Sequence, residues 1–425
     1  MSKNIKLSHI TKIEGHASLN LSIDNGKVKK CELQSTEGSR YFEGLVKGRI
    51  YEEAPEITSR ICGICSSAHT VCAIQAMERA IKFKPSEQTI MLRELMTLGE
   101  RIRSHATHLY FLALPDFLGY ESALAMAQKY KRELSTALRL VKLGNNIVKK
   151  VAGRDIHPVS AQVSGFLTLP TQESLDEIKE ETDERKSDAI TTAELFAKLE
   201  YPDFERKTQY FSLRNKFGYA TLYGDLVSES SNFPQKELHS YLKEYHQEHG
   251  TSNFVVKRGM SYMVGALSRI NNNFDQLSKD AKKVVKKAKH KFPNFNPFMN
   301  NFAQAIELVH CLDRVSEIID FVELKHEKPH EIKIKDGHGI AAIEVPRGIL
   351  WHEYTVKAGK IKAANIITPT CQNLRNMNDD IKAFVPTILD LPKEKMILEI
   401  EKLIRAYDPC FSCSTHFLKV KFKRT

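Results

Sequence analysis

Two Cys-x-x-Cys pairs stand at opposite ends of this chain, Cys62/Cys65 and Cys410/Cys413, with Cys65 and Cys410 345 positions apart. The spacing within each pair lets two thiolates reach one ion without distorting the backbone. If both pairs serve one ion, the two ends of a 425-residue chain have to meet. From spacing alone the plainest assignment is a structural zinc site of four cysteines, with a [4Fe–4S] cluster next. A redox dithiol is weaker, because no thioredoxin-like βαβ pattern surrounds either pair. Two features argue against plain zinc. Zinc ribbons and fingers use compact spacings, unlike this one. Each pair is also followed by a histidine, His69 and His416, that four thiolates leave surplus. Such groups suit donors to thiolates or ligands of a second metal. A helix from near Cys62 would put residues 62, 65, 69 and 72 within an arc of about 80°, at roughly 100° per residue.

Composition narrows the class. Hydrophobic residues make up 42% and charged residues 27%, the balance of a globular protein. No run of 18 apolar residues predicts a membrane span. The first residues, MSKNIKLSHITKIEGH, lack the apolar core of a signal peptide, so a cytoplasmic location is expected. With that location, eight cysteines are not a disulfide framework. The net charge of +11 is widely spread; its densest block, residues 281–292, has lysines at helical spacing and no interleaved aromatics. That block reads as a solvated face, and nucleic acid is set aside.

The pattern along the chain predicts one helix-rich α+β domain over 1–425. Strands are expected near 5–23 and 27–35, around the hairpin signal Asp24-Asn25-Gly26. Helices are expected over Ser86 to about Tyr110, 121–152, 176–188, 187–200, 235–247, 261–291, 298–326 and 393–406. Short strands and loops are expected over 204–232, and strands over 331–367. A metal-binding segment closes the chain at 405–416.

Arg60-x-Cys62-Gly-x-Cys65-x-x-x-His69 and Asp408-Pro409-Cys410-x-x-Cys413-x-x-His416 together resemble the large subunit of [NiFe]-hydrogenases. Further motifs extend the resemblance along nearly the whole chain: Lys12-Ile-Glu14-Gly-His16, Gly153-Arg154-x-Ile-His157-Pro158, Tyr262 to Arg269, Glu344-Val-Pro-Arg347-Gly and Asn365 to Thr370. Length and the run Arg405 to Cys410 are most similar to the soluble branch that includes the sulfhydrogenases, which couple hydrogen to NADP(H).

The resemblance implies a Ni-Fe(CN)2(CO) centre held by Cys62, Cys65, Cys410 and Cys413, with Cys65 and Cys413 also on iron. Soft thiolates suit nickel in a redox role. Hydrogen would be split heterolytically, with a base receiving the proton. Glu14 matches the proton-relay glutamate. Arg347 matches an arginine over the open site, where a guanidinium offers several donors and a fixed charge. Asp408 would pair with Arg347 or shape the cavity. Thr370 would donate to a cyanide nitrogen, and His69 to a bridging thiolate. Glu43, His416 and the carbonyl near Ile366 would hold Mg²⁺. Without the motifs, each of these would read as an ordinary surface carboxylate, salt bridge or turn residue. Cys31, Cys72, Cys311 and Cys371 read as buried small residues.

The chain departs from the family pattern in places. Ser104 stands where the family often has an acidic residue, which leaves one carboxylate absent. Ser164-Gly-Phe replaces a Gly-Gly-Phe pattern. Only nine residues, FLKVKFKRT, follow His416, either a retained tail or a short extension awaiting removal.

No G-x-G-x-x-G follows a strand, and the remaining cysteines form no cluster motif. The resemblance therefore implies an iron–sulfur small subunit, iron–sulfur and flavin/NADP-binding subunits beyond it, H2 as substrate, and a maturation machinery for the centre. The rival readings are a non-catalytic relative in a respiratory complex and a zinc-stabilised structural subunit. Relatives of the first kind lack the four thiols.

Overall fold

The computed structural model describes residues 3–38, 41–248, 250–327 and 335–415. Long helices frame the molecule. Glu87–Thr107 starts at Ser86, whose hydroxyl accepts from the Thr89 N–H, and packs along Lys131–Ala152. Gln172–Phe196 is one continuous helix where two were expected. Its charged run carries no breaker, and Leu175, Ile178, Thr182, Ala189, Ala193 and Phe196 keep one buried face in register. Asn300–Phe321 is buried through most of its length and packs on both of the flanking helices Glu87–Thr107 and Gln172–Phe196.

Small sheets carry the N-terminal segment and the hairpin that reaches the site. At the N-terminus Lys3–Leu7, Ala17–Asp24 and Lys27–Ser35 form an antiparallel sheet. The expected first strand is thus split. Lys12 at φ 59° and Gly15 at φ 80° break the extended backbone and turn residues 8–16 into a loop. The other major sheet is Gly337–Val345, Gly348–Lys357 and Lys360–Ile367, all antiparallel. Its first hairpin pairs Val345 with Gly348, so Pro346 and Arg347 form the tip. The sheet lies directly on the helix Ser66–Ile81: a Cβ on Gly339 would stand 2.1 Å from the Ala76 carbonyl oxygen. Only a glycine permits that approach.

Three further expectations are corrected. Residues 235–241 make one short helical stretch, and Leu242–His246 then pairs as a strand with Asn253–Lys257. Tertiary pairing overrides local preference there. The expected helix over 261–291 is a short strand, Tyr262–Met263, and two helices, Ala266–Asn273 and Lys279–Lys287. Gly265 at φ 133° and the cap at Ser278 punctuate them. The helix Pro369–Phe384 was not expected. Its apolar stripe, Leu374, Met377, Ile381 and Phe384, is interleaved with buried amides: Asn373 accepts from Val264 N–H at 2.9 Å and donates to Val264 C=O at 3.0 Å. The terminal helix Lys393–Ala406 lies where the pattern put it.

Candidate metal centre

Four elements converge at the two cysteine pairs. Cys62 and Cys65 lie on the loop before the helix Ser66–Ile81, not on it, so the shared helical face expected for residues 62, 65, 69 and 72 does not form. Cys72 points away, its thiol directed at the carbonyls of Ala341 and Leu350. Cys410 and Cys413 follow the helix Lys393–Ala406. The fold brings Cys62 Sγ to 3.7 Å from Cys410 Sγ, and Cys65 Sγ to 3.4 Å from Cys413 Sγ. All four sulfurs are buried and lie within 4.8 Å of one another, the one such group among the described residues. Cys410 and Cys413 are bonded as a disulfide here; holding a metal through both requires the reduced thiolates. A hydrogen bond between the Cys62 and Cys65 thiols pulls the titration of Cys62 down and pushes Cys65 up, with burial adding to the rise of Cys65.

The donor set fits the nickel–iron group. Beside the sulfurs is a cavity of about 10 Å³, room for roughly one water-sized molecule. Its walls include Cys65, Cys413, His69, Arg347 and Thr370. Arg347 is 6% exposed, and its Nη1 has no hydrogen-bond partner among the described residues. A buried orphan donor beside a small cavity and four sulfurs is the arrangement that a ligand-bearing metal would complete.

The other site residues are placed as follows. Arg347 Nε donates to the Asp408 carbonyl at 2.8 Å and to Asp408 Oδ1 at 3.0 Å. Burial alone would lower the Arg347 guanidinium; Asp408 and the nearby cysteines and Glu14 outweigh it and hold it above its ordinary value. Asp408 itself sits at φ 49°, with Oδ2 accepting from Gln304 Nε2 at 3.0 Å. Thr370 accepts at Oγ1 from the Cys410 N–H at 2.9 Å, which leaves its hydroxyl hydrogen for another acceptor. Glu14 Oε2 is 2.9 Å from Cys410 Sγ and accepts from Ser412 N–H at 3.2 Å; the Ser412 hydroxyl donates to Oε1. Gly15 makes this loop possible, because a Cβ there would stand 2.8 Å from Ser412 N. His69 lies one turn into its helix, with Nδ1 3.0 Å from His352 Nε2.

Glu43 is half-buried next to the Ile366 main chain, and burial pushes its carboxyl up to about 7. Its Oε2 has no partner among the described residues. His416, the third expected ligand of that ion, lies outside the described residues. Residues that the motifs did not reveal also serve the site. Glu100 is fully buried and accepts from the Ser67 N–H at 2.7 Å and the Ala68 N–H at 3.3 Å, closing the helix that follows Cys65. It lies one turn before Ser104, whose hydroxyl has no partner among the described residues. The spacing of four could have pointed to it. Gln304, Ser412, His352 and Tyr354 had no motif to mark them.

The chain is similar to known proteins along nearly its whole length. The model of the nickel-dependent hydrogenase family matches residues 40–169 and 257–416. The alpha chain of sulfhydrogenase 1 from Pyrococcus furiosus is 38% identical over 98% of this chain and 98% of its own length. A chain of the F420-non-reducing hydrogenase from Methanothermobacter thermautotrophicus is 30% identical over 97% of this chain and 94% of its own. Among solved structures, an NAD+-reducing [NiFe]-hydrogenase chain superposes with a TM-score of 0.85 at 24% identity, covering 97% of this chain and 99% of that one. The [NiFeSe]-hydrogenase of Dm. baculatum gives 0.79 at 20% identity, over 98% of this chain and all of its own. No helix among the described residues is long and apolar enough to cross a membrane. The family match, the sulfhydrogenase relative and the one gathered group of four sulfurs among the described residues together show that this chain belongs to the nickel-dependent hydrogenases, as a catalytic large subunit.

Proposed function

We propose that this chain activates H2 at the four-cysteine centre and passes electrons through an iron–sulfur small subunit toward NADP. The observation that carries the reading is the group of four buried sulfurs with Glu14 against Cys410 and the unpartnered Arg347 Nη1 beside the cavity. Cys62 and Cys410 would hold nickel, and Cys65 and Cys413 both nickel and iron. When bound, that group supplies the heterolytic cleavage of H2 and accepts its electrons. The chain's own residues handle the proton and the surroundings. Glu14 Oε2 stands where it receives a proton at Cys410 Sγ and passes it outward along the Ser412 side of the loop. Arg347 Nη1 presents a fixed positive donor to the cavity, aimed by Asp408. Thr370 offers its hydroxyl hydrogen at the cavity wall.

Glu43, the Ile366 carbonyl and His416 would hold Mg²⁺; the unpartnered Glu43 oxygen beside the Ile366 main chain supports this. The likeness to a sulfhydrogenase alpha chain supports a multi-subunit assembly; its iron–sulfur and flavin/NADP-binding subunits, and NADP itself, rest on the resemblance to that branch. The test is purification through a tag on this chain from its native host, followed by hydrogen-dependent reduction assays. Co-purified iron–sulfur subunits and reduction of NADP in preference to NAD are expected. An assembly that reduces neither nucleotide under hydrogen contradicts the acceptor assignment.

A further inference from the structure

A buried chain of three side chains leads away from the cavity that His69 lines. His69 Nδ1 lies 3.0 Å from His352 Nε2, and His352 Nδ1 lies 2.7 Å from the Tyr354 hydroxyl. The two imidazoles meet at 63° with centroids 5.3 Å apart, the edge-on geometry of a nitrogen–nitrogen hydrogen bond. None of the three residues is more than 1% exposed. His352 and Tyr354 alternate along the strand Gly348–Lys357 and share a face of it, so the strand presents both to the helix carrying His69.

Each gap in this chain holds one proton, and the sulfur end, at His69, sets the direction of them all. The Nδ1 edge of His69 is occupied by His352, so Nε2 is the edge presented to the cavity that Cys65 and Cys413 line. A thiolate accepts hydrogen bonds and donates none. Nε2 of His69 must then carry its hydrogen, which leaves Nδ1 bare to accept from His352 Nε2–H. That in turn leaves His352 Nδ1 bare, to accept from the Tyr354 O–H. All three groups stay neutral, so no charge is buried. The reverse direction aims a nitrogen lone pair at an anionic sulfur. A metal-site histidine is commonly fixed by a carboxylate or carbonyl at its far nitrogen. Here a phenol does it through a second imidazole.

We propose that His352 and Tyr354 are positioning residues that lock His69 as its Nε2–H tautomer, so that it donates to a cysteine sulfur of the centre. This rests on the reading of that centre as the nickel–iron site. A donor on a sulfur shared with iron withdraws electron density from the metal, and the iron's carbonyl stretch reports that density directly.

The experiment compares infrared spectra of the assembled, metal-loaded enzyme as wild type, Tyr354→Phe, His352→Leu and His352→Gln, with nickel and iron counted in each. Tyr354→Phe and His352→Leu are expected to keep the metals and move the carbonyl band to lower frequency. His352→Gln, whose amide N–H can stand in for Nε2–H, is expected to return it toward the wild-type position. A general loosening of packing would not give that rescue. Should His352→Leu fail to load metal, Tyr354→Phe decides alone, since it removes one oxygen atom. Wild-type bands with an unshifted Tyr354→Phe overturn the relay and leave the centre standing. A wild type with no such bands removes the centre, and the relay with it.

Discussion

Glu14 and Cys410 are joined twice across 396 positions of sequence. Their main chains form a parallel bridge, with Glu14 N–H donating to Pro409 C=O at 3.4 Å and Phe411 N–H to Glu14 C=O at 2.9 Å. Their side chains meet at 2.9 Å, Oε2 to Sγ. The main-chain bridge fixes the carboxylate whatever its charge. Glu14→Gln therefore keeps the fold and the metals, because the amide oxygen still accepts from Ser412, while the proton-accepting oxygen is lost. Proton–deuterium exchange under hydrogen should fall about 10²–10⁴-fold. Unchanged exchange at full nickel content would assign the relay elsewhere.

Arg347 holds Asp408 through Nε and Nη2, at 3.0 Å to Oδ1 in each case, and keeps Nη1 for the cavity. A lysine has one nitrogen and cannot serve both tasks. Arg347→Lys should load nickel normally and lose about 10²–10³-fold in hydrogen turnover, the effect of losing one preorganised donor. Turnover within twofold of wild type would show that the free donor at the cavity contributes nothing.

The hairpin tip carrying Arg347 is anchored by a buried ion network. Arg269 donates to Glu307 at 2.6 Å through both Nε and Nη2, and to Glu344 at 3.0 Å, with all three side chains fully buried. It also donates to the Val345 and Pro346 carbonyls at 2.8 and 3.0 Å, immediately before Arg347. Arg269→Met strands two carboxylates in the interior and should cost about 3–5 kcal/mol in chemical denaturation. A loss below 1 kcal/mol would mean the network relaxes without it.

Burial pushes the Glu100 carboxyl up to about 7 from an ordinary 4.5. A carboxyl raised on folding contributes stability below its unfolded value and loses that contribution as pH rises through its folded value. Relative to Glu100→Gln, the wild-type chain should thus lose roughly 3 kcal/mol between pH 4.5 and 7, with no further change above. Urea midpoints of both proteins across that range measure it. Parallel curves would place the Glu100 carboxyl at an ordinary value.

The sequence motifs made the four cysteines, Glu14, Arg347, Asp408 and Thr370 legible because each is tied to a recognisable local string. The fold brings all eight to one place, although they come from five separate stretches of chain. Their supports were not legible. Gln304 and Glu100 act from the middle of long helices, where a polar residue looks the same whether it faces solvent or a buried partner. His352 and Tyr354 belong to a strand whose alternation shows that they share a face, but not what lies across from it. The helix Pro369–Phe384 was missed although it buries Leu374, Met377, Ile381 and Phe384 at helical spacing, because the buried Asn373, Asn376 and Asn378 interleave with that stripe and dilute it. Long hydrophobic periodicity located Glu87–Thr107 and Lys393–Ala406 well, because packing and pattern agree there.

The central claim is that Cys62, Cys65, Cys410 and Cys413 hold a nickel–iron centre with diatomic ligands on iron. An infrared spectrum of the purified protein in the cyanide and carbonyl stretching region tests it most directly, with nickel, iron and zinc counted on the same sample. Bands in that region, with nickel and iron in equal amounts, are predicted for the wild type, and their loss together with nickel for Cys65→Ser. A wild type with zinc at the four sulfurs and no bands would contradict the account.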